Sequence, residues 1–436
     1  MHDDADVRTL LAWSGDCAQP RLHARTATRI DRRATPIPYI MPCEVIGITS
    51  EERHAARRVR RERKREEKRR LYKAAYDDYA SVASVSSLVK AAYQSRKGVG
   101  RKASVQKYMA NLMMNSIESN KKLMAGKDVR QGFIEFNIHE RGKARHIKAM
   151  HVKERVIQRS LCDNALVPVL RRSLIYDNGA SLSGKGIHFA LNRLRHMLRK
   201  HARKHGDKGW VMLVDFSGYF DNIRHEPILD MLNKYFDDPR IRWLAWLFVK
   251  AFGKSSMGIG SQVSQIFAVA YPNRADHCIH ERHRLGLSAR YMDDTYAICE
   301  DRQRLEEALR DCAEIWRELG IRLHPRKTQI IPVRRFSFMH ARFRITKSGR
   351  VLMLPNRKSY RRMRRKLRTF LGMYKNKLMT FEQINTCYQS WYGYQAHFNA
   401  HRALRGMDRY FHSLFGVWAK HKKGGTINHD DQCVYG

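Results

Sequence analysis

The sequence predicts an α+β chain of more than one domain, on three observations. Short runs of β-formers, such as WVMLVDF (210–216) and RYMDDTYAI (290–298), alternate with helical patterns from about 101 to 354. The last eighty residues read instead as basic, aromatic helices. At 436 residues the chain exceeds one ordinary core, and its 43% of hydrophobic residues suffices to pack two or three.

Residues 1–50, which include TPIPYIMP, have no clear period and read as an irregular extension. A basic helical region follows over 51–100. Within 51–70 stand eleven Lys/Arg and five Glu with no Gly or Pro, which predicts a long charged helix. A solvated helix laced with i,i+4 pairs fits that pattern, and so does a helix against nucleic acid, which the excess of cations favours. Over 101–205, FIEFNIHERGKARHIKAM predicts two strands around an Arg-Gly turn and VKERVIQRSLCDNALVPVLRRSL an amphipathic helix. SLSGKG is then a loop entering a strongly basic helix. Residues 206–354 begin with the apolar strand 210–216 and continue with helical patterns from about 225 to 252. The turn MGIGSQVSQ opens a helix running to about 284. A hairpin with Asp293-Asp294 at its tip, an amphipathic helix over 301–320 and strands over 329–354 complete this part. A boundary near 355 leads into the helices of 355–436.

The balance of 84 Lys+Arg against 42 Asp+Glu, a net +42, destabilises a compact state unless a polyanion is at hand, and nucleic acid is the first candidate. No stretch approaches the roughly 18 consecutive apolar residues of a spanning helix, which disfavours a membrane. The acidic start MHDDADVRTLL lacks the apolar core of a signal peptide. The eight cysteines are scattered without a CxxC pair, which argues against a zinc ribbon or a disulfide scaffold and for thiols in a reducing cytoplasm.

Three acids then stand out: Asp215 ends an apolar strand, and Asp293 and Asp294 sit side by side in the hairpin. Adjacent carboxylates repel, so the pair is either a solvated turn or a cation site. An acid at the end of a strand, with a carboxylate pair elsewhere, suits divalent-metal phosphate chemistry, since Mg²⁺ takes hard oxygen ligands and needs few from protein.

The order of blocks is more specific than the spacing. LVDFSGYFDNI, GIGSQVSQIFAVAY, RYMDDTYAI and LHPRKTQI, with ERGKARHI and SLSGKG upstream, resemble the prokaryotic reverse transcriptases over roughly 130 to 395. The resemblance implies a right-hand polymerase with fingers (101–205), a palm of antiparallel sheet and packed helices (206–354) and a helical thumb (355–436). It implies RNA-directed DNA synthesis with two Mg²⁺ ions, for which Mn²⁺ can substitute. Asp215, Asp293 and Asp294 would hold the metals, helped by Phe216 and its carbonyl, and Lys327 would act as general acid toward pyrophosphate. Lys143, Arg145, Phe216, Phe220, Gly260 and Gln265 would contact the incoming dNTP. Phe220 falls where an aromatic excludes a ribose 2′-OH, whereas RNA-templated RNA polymerases generally carry an acid there. Taken alone, Phe220 also fits a core aromatic, and Lys143, Arg145 and Lys327 solvated surface charges.

Ser183, Lys185, Ser264, Arg361 and Arg365 would touch nucleic acid, while Trp391, Tyr392 and Tyr394 read as thumb core in preference to stacking platforms. Met339-His340 stands where many members have a Phe-Leu-Gly-like turn, and Ser-Gln where group II intron enzymes have Ser-Pro. These departures point to the retron, diversity-generating or unclassified defence-associated lineages, although the VTG triplet of retrons is missing. The partners expected are a structured non-coding RNA template, the cDNA product and dNTPs, in antiphage defence. A diversity-generating element and a non-catalytic RNA-binding protein on a polymerase fold are the alternatives; the oligomeric state and the mode of priming are left open.

Overall fold

The computed structural model describes residues 49–140, 143–253, 255–417 and 419. The expected irregular extension lies almost wholly outside them, as do Cys17, Cys43 and Cys433. Residues 1–62 and 63–436 form two compact units. Of the first, the described part is essentially the start of helix α1 (Ser50–Tyr76), with Glu51 and Glu52 in its first turn, where they complement the helix dipole.

In the second unit α1 runs on to Tyr72, whose ring lies 4.0 Å from the Arg172 guanidinium. A helical cluster follows: α2 (Tyr79–Ala83), α3 (Val85–Arg96), α4 (Ala103–Ala110) and α5 (Leu112–Met124). Strands β1 (Phe133–Glu140) and β2 (Lys143–Met150) pair antiparallel, Phe133 opposite Met150, as a separate two-stranded ribbon. The amphipathic pattern after it folds as α6 (Val152–Leu161), a π turn at Cys162–Leu166, and α7 (Val167–Arg171). Next comes α8 (Ile187–His205), which buries Leu191, Leu194 and Leu198 at helical spacing and leaves most of its cations outward.

The four-stranded sheet is built next. Strand β3 (Trp210–Asp215) is followed, within the helical patterns of 225–252, by α9 (Glu226–Tyr235) and α10 (Pro239–Lys250). Pro239 cannot continue a helix but can begin one, and Asp238 caps it by accepting from the Arg240 amide at 2.8 Å. The helix expected to reach 284 is likewise cut at Pro272 into α11 (Gln262–Ala270) and α12 (Asn273–His277), the latter widening into a π turn at Cys278–Arg282. Strands β4 (Ser288–Tyr291) and β5 (Asp294–Cys299), helix α13 (Arg302–Glu318) and strand β6 (Gln329–Pro332) complete the layer, with strand order β4-β5-β3-β6, all antiparallel.

Because side chains alternate across a strand, β3 serves two cores. Met212 and Val214 face a core with α9, α10, α11 and α13, while Val211 and Leu213 face one with α8 and a second sheet. That is why WVMLVD reads as an unbroken apolar run. The second sheet, β7 (Arg335–Phe338), β8 (Ala341–Ile345) and β9 (Val351–Pro355), contributes Phe336, Phe343 and Met353 to this second core. Its first hairpin turns on Met339 and His340, both at positive φ (46° and 63°), which a two-residue primed turn demands and Asn-Gly usually supplies.

The chain then forms α14 (Arg357–Lys375), α15 (Phe381–Ala396) and α16 (His401–Phe415) around a third core of Met363, Leu367, Phe370, Ile384, Tyr388 and Phe411. On α14 the apolar stripe recurs at i, i+4 and i+7, so Arg361, Arg362, Arg364, Arg365, Lys366 and Arg368 are all exposed. Trp391 donates from its indole to Ser359 Oγ at 2.9 Å and packs against Tyr360, while Tyr392 and Tyr394 are partly buried against the cores.

Beneath the sheet lies one buried ion pair. Arg290 on β4, 2% exposed, donates from Nε and Nη2 to the Asp276 carboxylate at 2.7–2.9 Å, and Asp276 is 3% exposed. Removing one partner strands the other charge. Arg290→Met is therefore expected to cost about 3–5 kcal/mol in chemical denaturation, and Arg290→Met with Asp276→Leu to recover most of it. A double variant as unstable as the single one would refute the pairing as the origin of the loss.

Candidate active site

The three acids converge because the sheet register brings them together. Asp215, the last residue of β3, is the register partner of Asp294, the first residue of β5, and Asp294 also pairs with Tyr291 on β4. The two-residue turn is therefore Met292-Asp293, one position earlier than the sequence pattern implied. Met292 has φ 53°, the left-handed value a primed turn needs at its first position. Its carbonyl accepts from Arg290 Nη1 at 3.1 Å, so the buried arginine holds the turn from below. The Asp293 carbonyl accepts from the Phe216 amide at 3.3 Å, and the Asp215 carbonyl from the His324 amide at 2.8 Å. Each acid is thus fixed through its backbone to a neighbouring segment or strand.

Lys327 reaches the same place from the segment before β6. Its ammonium lies 2.9 and 2.8 Å from the two oxygens of Asp215. Burial, then the charges of Asp293 and Asp215, push the Asp294 carboxyl up to about 7, with Lys327 pulling in the opposite direction. The donors are hard oxygens only, one of them holding a proton against its neighbours, which is the chemistry a divalent ion of the Mg²⁺ type relieves.

The surrounding residues are disposed unequally. The Phe216 ring is 3% exposed and packs against Tyr219 and Trp316, so only its backbone is available to a ligand. Phe220 is half-buried in a 3₁₀ turn (Phe220–Asn222), edge-on to Tyr219, and its carbonyl accepts from the Met257 amide at 2.8 Å. Gly260 lies against β2: a Cβ there would stand 2.8 Å from the Lys148 carbonyl, and its φ of 119° also favours glycine. Ser261 caps α11 and donates to Gln158 Oε1 at 2.9 Å, tying this helix start to α6. Gln265 is half-buried.

Two residues expected at nucleic acid are engaged inside the protein. Ser264 faces the core at 1% exposure, and its hydroxyl has no hydrogen-bond partner. Lys185 donates to the carbonyls of Tyr176 (2.5 Å) and Asn178 (3.1 Å) and stands over the Tyr176 and Phe189 rings, and burial lowers its pKa. Ser183 is exposed beside it. Lys143 and Arg145 lie on β2 opposite Glu140 and Ile138, but their side chains fall outside those described. Arg361 and Arg365 are exposed one helical turn apart on α14. Sequence reasoning passed over Arg290, Asp276 and Gln158. The available signal was an arginine inside the apolar strand SARY, where an unpaired charge is not tolerated.

An antiparallel sheet backed by helices, carrying three acids at one end of the β3–β5 pair, is the arrangement expected of a nucleotide polymerase. The family model described as "Reverse transcriptase (RNA-dependent DNA polymerase)" matches residues 137–374, more than half of the chain, and the chain belongs to this family. Protein YkfC of Escherichia coli (strain K12) is 24% identical over 154 residues, covering 33% of this chain and 40% of that protein. The chain thus spans less than half the length of this curated relative. Among solved structures, telomerase from Candida albicans with a TWJ fragment of telomeric RNA is 13% identical with a TM-score of 0.42, over 67% of this chain and 56% of that one. Apo telomerase from Candida tropicalis gives 11% and 0.36, over 51% and 54%. Likeness this slight has no bearing on activity or partners. No described helix is long and apolar enough to cross a membrane.

The acid cluster sets a pH dependence. Without divalent ions, Asp294 keeps its proton up to about 7 in the folded protein, whereas the unfolded chain releases it near 4. Stability therefore falls as pH rises through that window. Asp294→Asn is expected to be more stable than the parent at pH 8 in chelator, by about 2–4 kcal/mol, with the difference vanishing near pH 4. Thermal melts across pH test this; a parent that gains stability from pH 4 to 7 relative to the variant would contradict it.

Proposed function

We propose that the protein is an RNA-directed DNA polymerase that copies an associated structured RNA into cDNA by nucleotidyl transfer. The observation that carries this is the register of Asp215 opposite Asp294, with Asp293 in the adjoining turn. Asp215, Asp293, Asp294 and the Phe216 carbonyl would hold two Mg²⁺ ions, with Mn²⁺ able to substitute. When bound, such ions activate the primer 3′-hydroxyl and stabilise the charge that develops on the phosphates.

The chain's own residues do the rest. The 3′-oxygen bonds to the α-phosphorus as the bond to pyrophosphate breaks, and Lys327 gives its Nζ proton to the departing oxygen. That requires Lys327 to leave Asp215, where it stands at 2.8 Å. Phe220, held by its carbonyl and by Tyr219, excludes a 2′-hydroxyl by bulk. Lys143 and Arg145 on β2 clamp the triphosphate, and Gly260 and Gln265 flank the base and template. Ser183, Arg361 and Arg365 contact the template–primer backbone. Lys185 and Ser264 join them only if the loop and helix start rearrange, because both are now engaged or buried.

The +42 charge and the basic run of 51–70 favour an RNA bound outside the catalytic centre. Antiphage defence is the role we propose for its cDNA, by analogy with the prokaryotic lineages the sequence resembles.

Purification with co-bound RNA, addition of dNTPs and Mg²⁺, and sequencing of both strands tests the activity. cDNA complementary to that RNA is expected, and Asp293→Ala with Asp294→Ala should lower synthesis by at least ~10³. No cDNA under any divalent ion, with cellular function unchanged in the double variant, would leave an RNA-binding protein on a polymerase fold. Phe220→Ala is expected to admit ribonucleotides, with discrimination falling about 10- to 100-fold; unchanged discrimination would move the gate elsewhere.

A further inference from the structure

A second cluster of ligand-type side chains lies away from the three acids. Cys278 and His283 stand at the two ends of the π turn that follows α12, and Asp311 faces them from α13. The Cys278 sulfur, a His283 ring nitrogen and an Asp311 oxygen all lie within 4.8 Å of one another. Cys278 is 8% exposed, and the His283 and Asp311 side chains are 15% and 28% exposed.

The backbone explains the convergence. In an α-helix residues five apart point about 140° away from each other, so Cys278 and His283 would diverge. The His283 amide instead donates to the Cys278 carbonyl at 3.0 Å, the i+5 bond of a π turn, which brings both side chains to one face. Such turns are rare and recur at functional sites. His283 Nε2 lies 3.0 Å from Asp311 Oδ2, a single proton bridging the two. Tetrahedral zinc sites hold N, O and S ligands about 3.3–3.7 Å apart, so a metal fits where that proton now sits after a small adjustment.

We propose that Cys278, His283 and Asp311 form a zinc site that clips α12 to α13. The mixed thiolate, imidazole and carboxylate set selects a borderline-soft ion over Mg²⁺, which takes oxygen donors, so the site is chemically separate from the carboxylate cluster. Binding releases the Cys278 thiol proton to solvent, while His283 binds as the neutral imidazole through Nε2 with its proton on Nδ1. Water fills the fourth position. Arg282, 3.2 Å from Asp311 and 70% exposed, is free to swing away as the metal takes its place. Cys312, buried against Cys278, is a second sulfur behind the first.

The site would brace the polymerase centre from a distance. Asp276, which holds Arg290, is two residues before Cys278, and β4 begins five residues after His283. The inference does not depend on the proposed activity, because it concerns metal binding alone.

The test is a Co²⁺ titration of the full-length, untagged protein in excess Mg²⁺, with metal analysis of the protein as purified. Expected are one zinc per chain and, after exchange, one equivalent of tetrahedral Co²⁺ with a thiolate-to-metal charge-transfer band. Cys278→Ser should abolish that band, and His283→Gln should lower affinity at least tenfold. Should Cys278→Ser not fold, His283→Gln and Asp311→Asn, which retain volume and polarity at partly exposed positions, give the same readout. Absence of a stoichiometric thiolate band in the parent, or an undiminished band in Cys278→Ser, overturns the proposal.

Discussion

The four-stranded sheet and its acids depend on a buried guanidinium. Arg290 sits within a strand, and its donors are divided among the Asp276 carboxylate, the Val269 carbonyl at 2.6 Å and the Met292 carbonyl at 3.1 Å. A buried pair of this kind adds little net stability compared with apolar residues of similar shape. What it provides here is position: one side chain ties together the end of α11, α12 and the hairpin turn. The loop before α8 joins the same frame, since the Gly179 amide donates to the Arg290 carbonyl at 2.9 Å and the Arg290 amide to the Asp177 carbonyl at 3.3 Å. A slip of one residue in β4 would place Arg290 on the opposite face and leave Asp276 alone in the core. The β4–β5 register that sets Tyr291 opposite Asp294 is therefore the one that the ion pair allows.

The acids add a second constraint that opposes the first. Three carboxylates gathered at the end of β3–β5 repel one another, and that repulsion adds to burial in raising the Asp294 carboxyl. Their convergence is maintained by hydrogen bonds that carry no charge: Phe216 to Asp293, and His324 to the carbonyl of Asp215. Elsewhere the chain is strongly cationic, so the acids form a local negative centre in a positive surround. Such a field draws a polyanion toward the protein while reserving the centre itself for cations.

What could be read from the sequence reflects these two constraints. WVMLVD announced a strand buried on both faces, and the alternating ribbon of β1 and β2 and the amphipathic helices 187–205 and 302–318 were legible from periodicity, because each depends on local pattern. The exposed cations of α14 were equally legible, since Met363, Leu367 and Phe370 leave no other face for them. Features that depend on tertiary partners were not. Nothing local distinguishes Met292-Asp293 from Asp293-Asp294 as the turn; the choice is made by β3, which pairs Asp215 with Asp294. Ser264 reads as an accessible hydroxyl and Lys185 as a surface cation until the core and the loop carbonyls that engage them are known. The two π turns leave no compositional trace either, as i+5 bonding is selected by what each turn packs against.

Lys327 links the electrostatics of the centre to the order in which it can work. Its ammonium spans both oxygens of Asp215, the acid that on the polymerase reading a divalent ion would also use. Such an ion at Asp215 would raise the charge at that acid by one and displace the lysine toward solvent, where half of the lysine side chain already lies. On the polymerase reading, the proton donor for the leaving group then becomes available only when the cations are in place. A lysine held permanently on Asp215 would compete with the metal, and one placed far from it would not stabilise the empty cluster. The observed geometry lies between these cases: a direct but half-exposed pair that offsets part of the repulsion among the acids.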